Sequence, residues 1–159
     1  MSRSDQVVRW PLFASGFVAL LLGLIPLPHW LDLLRPDFLA LVVLYWSVHL
    51  PRAGRLWFAW SAGLALDVFR GVVLGQFALA MTVVGAAAIY MHLRIRAYPI
   101  WHQAGTVFAA LFLYHLTLWI VDGWSGHPIT SSARWVPAVS GALVWPFVSG
   151  MLDKLHRRF

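Results

Sequence analysis

Residues 56 to 91 form a 36-residue stretch that carries only two charges, Asp67 and Arg70. As one α-helix it would reach about 54 Å at ~1.5 Å per residue, well beyond a hydrocarbon core of ~30 Å. Two helices joined at the charged point fit that thickness. The stretch therefore reads as a helical hairpin, with a span over 56–69, a tight turn at Arg70 and Gly71, and a span over 72–91.

Four further apolar runs have the same character, over 10–25, 36–50, 103–121 and 135–151. Pro26 and Pro28 stop the first. Pro36 is preorganised for the first position of the second, with Asp37 in a first turn where the helix dipole favours a carboxylate. The 15 residues of this second run reach only about 22 Å, so it belongs inside the bundle or in a locally thinned bilayer. With 60% hydrophobic and 11% charged residues and a mean hydropathy of +0.73, the chain lacks the polar surface of a water-soluble domain. The fold class is an all-α polytopic membrane bundle of about six transmembrane helices, one integral membrane domain over 1–159, with no catalytic domain in water. Leu27 and Trp30 stand where a signal-peptide cleavage site would fall, so the first run reads as a retained span.

Charge sets the orientation. With both termini in the cytoplasm, nine Lys and Arg lie inside (Arg3, Arg9, Arg52, Arg55, Arg94, Arg96, Lys154, Arg157, Arg158) and three outside (Arg35, Arg70, Arg134). That asymmetry follows the positive-inside rule. The net charge of +6 is dispersed between apolar runs, not clustered on one face, so it argues against nucleic acid. Trp10, Trp57, Trp101 and Trp135 mark run ends, as interfacial aromatics do.

Chemistry-bearing residues are sparse. There is no cysteine and no glutamate, the seven histidines lack metal-ligand spacing, and no phosphate-binding glycine loop occurs. Ser61, Ser140 and Ser149 lack a nucleophile elbow or a local base, and bonding to backbone carbonyls is their ordinary role in such helices. No catalytic, cofactor or metal residue is assigned. Pro146, inside the last run, frees a carbonyl one turn back and kinks the helix. His115 is the one histidine deep in a run; it shares a face with Asp122, and a contact with Asp67 is open to it.

The segment GLALDVFRGVVLG, residues 63–75, is the most informative. Gly63, Asp67, Gly71 and Gly75 recur every four residues. Small residues at this spacing let helix backbones touch, within the chain or with a partner. Asp67 has three readings: an interfacial pair with Arg70 at i+3, a carboxylate pointing into the bundle to fix a neighbouring helix or a partner, or a proton or ion relay.

This segment resembles the G-x-x-x-D-x-x-x-G-x-x-x-G motif of the rod shape-determining MreD family. RPDFLALVVLYWSVHLPR, residues 35–52, resembles the family's second-span signature through Arg35, Pro36, Asp37, Tyr45 and Trp46. GALVWPF followed by a basic tail completes the likeness, which covers essentially the whole chain. The resemblance implies a non-enzymatic scaffold in the bacterial inner membrane. It implies partnership with the bitopic protein MreC and the actin-like MreB, near the glycosyltransferase RodA and a class B penicillin-binding transpeptidase, in lateral peptidoglycan synthesis. It also implies a fold similar to the substrate-binding subunits of energy-coupling-factor vitamin transporters, which keeps a transport or small-ligand reading beside the scaffold. The basic tail suits MreB or anionic lipid, and lipid is the simpler expectation.

Overall fold

The shortest apolar run is the most completely enclosed. In the computed structural model the helix over Phe38–His49 has every residue from Leu39 to Val48 buried. Its 12 residues span about 18 Å and have no polar face, so a seat among other helices is the only one that satisfies it. The structure describes residues 3–32, 34–50, 56–126 and 132–158; Arg52, Arg55 and His127 lie outside them.

Numbered along the chain, the helices are α1 (Arg3–Leu24), a single turn α2 (His29–Asp32), α3 (Phe38–His49), α4 (Leu56–Arg70), α5 (Gln76–Ala97), α6 (Ile100–Trp124) and α7 (Val136–Arg158). A 3-10 turn over Ser132–Trp135 leads into α7, and no strand occurs among the described residues. Helix α3 is the hub, packing on α1, α4, α5 and α7, while α4–α5, α5–α6 and α6–α7 close the layer around it. Its largest enclosed neighbours are Trp145, Tyr114, Met81 and Leu111, so the centre is filled by side chains.

The helices alternate in direction. Arg35, Arg70, Gln76, Asp122 and Arg134, from the ends of α4 and α6 and the starts of α3, α5 and α7, line one cavity. Arg35 donates to the Ile25 carbonyl, so α1 ends there too. At the other end the close of α3 meets the close of α7, where His49 Nε2 lies 3.8 Å from Asp153. Helices α5 and α6 and the segment Ser132–His156 are each long and apolar enough to cross a membrane. The outer surface is also apolar, with Phe13, Phe17, Leu143 and Phe147 exposed beside Trp10, Trp57 and Trp101. These features fit a membrane protein.

Helix ends depart from the apolar runs in a consistent way. Helix α5 continues past Met91 to Ala97, and α7 past Met151 to Arg158, because backbone hydrogen bonding does not stop where lipid-facing residues stop. The second helix starts later than proline chemistry suggests. Pro36 accepts the Phe38 N–H at 2.9 Å, and Asp37, at ψ 82°, is not helical but precedes the first turn. The hairpin turn is likewise longer, and α5 begins at Gln76 rather than 72, since Gly71 (φ +62°) and Gly75 (φ +100°) adopt left-handed conformations that end a helix.

Helix α4 meets the start of α5 through Gly63. A Cβ placed there would lie 2.5 Å from Ala78 Cα and 2.6 Å from the Phe77 carbonyl oxygen, so only glycine permits this approach. We expect Gly63→Val to lose at least about 1–3 kcal/mol, the usual range for overpacking. Gly105→Ala on α6, where a Cβ meets nothing within 4 Å, should leave stability unchanged. Thermal unfolding in detergent, followed by tryptophan fluorescence, checks the pair; equal midpoints would contradict the close-approach account.

Candidate functional site

An α-helix begins with N–H groups that have no partner within the helix, and in hydrocarbon no water supplies one. At the start of α5 they are all accounted for. Asp67 lies eight to eleven residues upstream on α4 and is fully buried. Its Oδ2 accepts from Gly75 N–H at 2.9 Å and Ala78 N–H at 3.3 Å, and its Oδ1 from Phe77 N–H at 2.8 Å. Gln76 N–H donates to the Val73 carbonyl at 3.2 Å, and Leu79 N–H to Gly75 at 2.8 Å. The carboxylate is thus an N-terminal cap delivered from the preceding helix, stabilised by three charge-assisted bonds and the positive end of the α5 dipole.

This geometry assigns a part to each residue of the glycine–aspartate segment. Gly63 permits contact, Asp67 caps, and Gly71 and Gly75 supply the left-handed backbone that returns the chain over the carboxylate. Asp67 therefore faces into the bundle. The i+3 partnership with Arg70 does not form; Arg70 instead places its guanidinium 5.0 Å from the centre of the Phe77 ring. A contact between His115 and Asp67 does not form either. His115 Nε2 lies 3.1 Å from Asp37 Oδ2, off the angle a hydrogen bond needs, and so has no hydrogen-bond partner.

Fixing α5 fixes what its first residue meets. Gln76 Nε2 donates to Asp122 Oδ1 at 2.5 Å, and the other oxygen of Asp122 pairs with Arg134. Helices α5, α6 and the turn before α7 are tied through this buried carboxylate. Arg35 donates to the Ile25 carbonyl at 2.8 Å and lies 3.6 Å from Asp32, holding the loop between α1 and α3. These groups surround a cavity of about 500 Å³ at one end of the bundle. Three guanidiniums, Arg35, Arg70 and Arg134, face it with Asp32, Asp37, Asp122 and His115.

The signature residues of the second helix are divided between the two ends. Arg35, Pro36 and Asp37 stand at the cavity. Tyr45 and Trp46 are fully buried near the opposite end. There the Tyr45 hydroxyl donates to Asp153 Oδ1 at 2.5 Å, and Trp46 Nε1 donates to Ser15 Oγ at 2.9 Å. These bonds tie α3 to α7 and α1. Ser61, Ser140 and Ser149 each bond the carbonyl three residues back. Among the described residues no group of three or more His, Cys, Asp or Glu is arranged to hold a metal ion.

The family model for the rod shape-determining protein MreD matches residues 4–155. The chain belongs to the MreD family. It is similar to the rod shape-determining protein MreD of Haemophilus influenzae, at 29% identity over 156 residues, covering 96% of this chain and 94% of that one. No solved structure matches. Membership implies a role in rod-shape determination, in a family of shape-determining proteins not known as enzymes. Gln76, Arg134, Tyr114 and Asp153 were not singled out by sequence reasoning. Gln76, an amide inside the apolar run over 72–91, was the one available signal.

The capping account predicts an order of stability. Asp67→Ala leaves three buried N–H groups without partners, and at ~1–3 kcal/mol each it should cost roughly 3 kcal/mol or more. Asp67→Asn keeps one acceptor but turns an amide NH₂ towards N–H donors, so it should fall in between. Thermal unfolding in detergent tests this. An Asp67→Ala protein as stable as the parent would refute the cap.

Proposed function

We propose that this chain is a non-enzymatic scaffold of the bacterial elongation machinery. In this reading it is one integral domain over 1–159 that crosses the inner membrane six times, with both termini cytoplasmic. It binds the membrane helix of MreC and through it supports MreB, RodA and the class B transpeptidase in lateral wall synthesis. Family membership over nearly the whole chain supports the reading. The observation that carries it furthest is the filled centre. Leu41 and Leu44 of α3, with Leu111 and Trp145, occupy the position where a transporter would hold its substrate. The cavities lie at one end and on the rim, which speaks against the transport alternative.

Within this reading the signature residues act mainly by packing. Gly63, Asp67, Gly71 and Gly75 hold the α4–α5 hairpin, and Tyr45 and Trp46 anchor α3. Arg35, Pro36 and Asp37 shape the open end. Partners then meet a rigid exterior through helix packing and a few polar contacts.

Two measurements test the proposal. The chain has no cysteine, so single-cysteine variants report topology directly. Ser132→Cys should react with a membrane-impermeant maleimide added outside the inner membrane, and Tyr98→Cys should not; the reverse pattern would invert the topology. In a rod-shaped host depleted of its own MreD, tagged chain should restore rods and retain MreC in mild detergent. Restored rods without retained MreC would remove MreC as the direct partner.

A further inference from the structure

The turn between α4 and α5 has no polar side chain. Residues 71–75 read GVVLG, whereas the connection from α1 to α3 holds Asp32 and Arg35 and that from α6 to α7 holds Ser132 and Arg134. The turn is nevertheless open on its outside. Val73 and Leu74 are 54% and 70% exposed, and they continue a surface made by Val68 and Phe69 of α4, at 65% and 61%. Arg70, the one charge beside them, turns away: it lines the polar cavity and sets its guanidinium 5.0 Å from the centre of the buried Phe77 ring. An apolar patch on a connecting turn is unfavourable in water and calls for a cover.

The register of the hairpin says what that cover is. Phe77 and Ala78 pack on Gly63, seven residues before α4 ends at Arg70. Helix α4 therefore rises about 10 Å past the start of α5 at ~1.5 Å per residue, and the turn runs back down beside it. Farther along the hairpin, a Cβ on Gly85 would lie 3.6 Å from Leu56 Cδ2, so Leu56 stands level with Gly85. From there α5 stays apolar for six more residues, to Met91, before His92, Arg94 and Arg96. The length from Met91 to Phe69 is thus six residues of α5 and thirteen of α4, about 29 Å at ~1.5 Å each, close to a hydrocarbon core of ~30 Å. With one boundary at Met91, the other falls at Phe69 and Arg70, and the descending turn lies at or beneath it.

Irregular backbone is admitted there only if its polar groups are satisfied inside the protein. Gly71 N–H donates to the Val68 carbonyl at 3.4 Å, Val72 N–H to the Asp67 carbonyl at 3.3 Å, Gly75 N–H to Asp67 Oδ2 at 2.9 Å and Gln76 N–H to the Val73 carbonyl at 3.2 Å. On its inner side the turn lines the polar cavity through Val72 and Gln76. We infer that the α4–α5 turn is a lipid-contacting surface, with Val73 and Leu74 seated among acyl chains just beneath the headgroups. The inference rests on the membrane placement of the proposed function and not on any partner. It sets the polar cavity behind the turn at the level of the lipid headgroups.

The test uses purified full-length protein in phosphatidylcholine vesicles. The chain has no cysteine, so a bimane fluorophore can be placed at Val73→Cys, at Phe147→Cys on the exposed face of α7, or at Ser132→Cys in the polar connection. Each is exposed in turn to lipid brominated on its acyl chains and to aqueous iodide. Val73→Cys should be quenched by brominated lipid as strongly as Phe147→Cys, and by iodide several-fold less than Ser132→Cys. Val73→Asp, which puts a charge among acyl chains, should lower the thermal unfolding midpoint in the vesicles, while Val73→Thr should not. Iodide quenching of Val73→Cys equal to that of Ser132→Cys, or a Val73→Asp protein with the parent midpoint, would place the turn in water and overturn the inference. Protection of Val73→Cys from both quenchers would show that a second copy of the chain covers it, with the same consequence. Failure of brominated lipid to quench Phe147→Cys would remove the membrane placement itself, and the inference with it.

Discussion

Three backbone N–H groups converge on one buried carboxylate, and much of the bundle is positioned by that convergence. Opening a helix away from water leaves several strong donors exposed to an environment that cannot satisfy them. A local serine or threonine cap would satisfy one. Asp67 satisfies three, and because it belongs to the previous helix, it also sets how α5 lies against α4. Desolvating a carboxylate is expensive by itself; here three backbone donors and the helix dipole replace its water. The cap then specifies the turn. The chain must leave α4 after Arg70 and come back over the carboxylate within a few residues, which requires left-handed backbone at Gly71 and Gly75. It also requires a surface flat enough for the returning backbone, and Gly63 supplies it.

From that start the dependence runs outward. The register of α5 places Gln76 against Asp122, and Asp122 holds Arg134 ahead of α7. On the other side α3 lies in the space between α1, α5 and α7, tied by Tyr45 to Asp153 and by Trp46 to Ser15. A helix of 12 residues with no polar face has no stable position at a membrane surface or across a full bilayer, so its burial follows from its sequence. Once α3 is in place, its aliphatic side chains, with Leu111 and Trp145, fill the middle of the bundle. Open volume lies where helix ends splay and where α1 and α4 stand apart.

The all-helical fold was legible because the helices follow apolar runs separated by proline, glycine or charge, three of them long enough to cross a membrane. Their ends were less so. Hydropathy marks where apolar side chains stop, while helices such as α5 and α7 continue for further turns with Arg94, Arg96 and Lys154 exposed. The α4–α5 turn needed knowledge of φ at Gly75, which hydropathy does not carry. The candidate site was legible as a list of residues but not as a set of partners. Asp67 beside Arg70 suggests an i+3 ion pair by every local rule. It loses because backbone donors ten residues ahead in the chain offer more to a buried carboxylate than an exposed guanidinium does. His115 to Asp37 and Gln76 to Asp122 are long-range meetings, decided by how whole helices pack.

The two ends of the bundle use their polar groups differently. At the end holding Tyr45, the hydroxyl, indole and imidazole are each matched to Asp153, Ser15 or a backbone carbonyl, and they join α3 to its neighbours. At the arginine-rich end Asp122 is engaged by Gln76 and Arg134, while the Tyr114 hydroxyl, His115 Nε2 and Arg134 Nη1 have no hydrogen-bond partner. Balanced formal charge hides this difference, because Asp122 divides its two oxygens between Gln76 and Arg134, and a guanidinium carries five N–H donors. A bundle whose centre is filled can still hold polar volume at one end, where the helix ends bring Arg35, Arg70 and Arg134 together with Asp37 and Asp122.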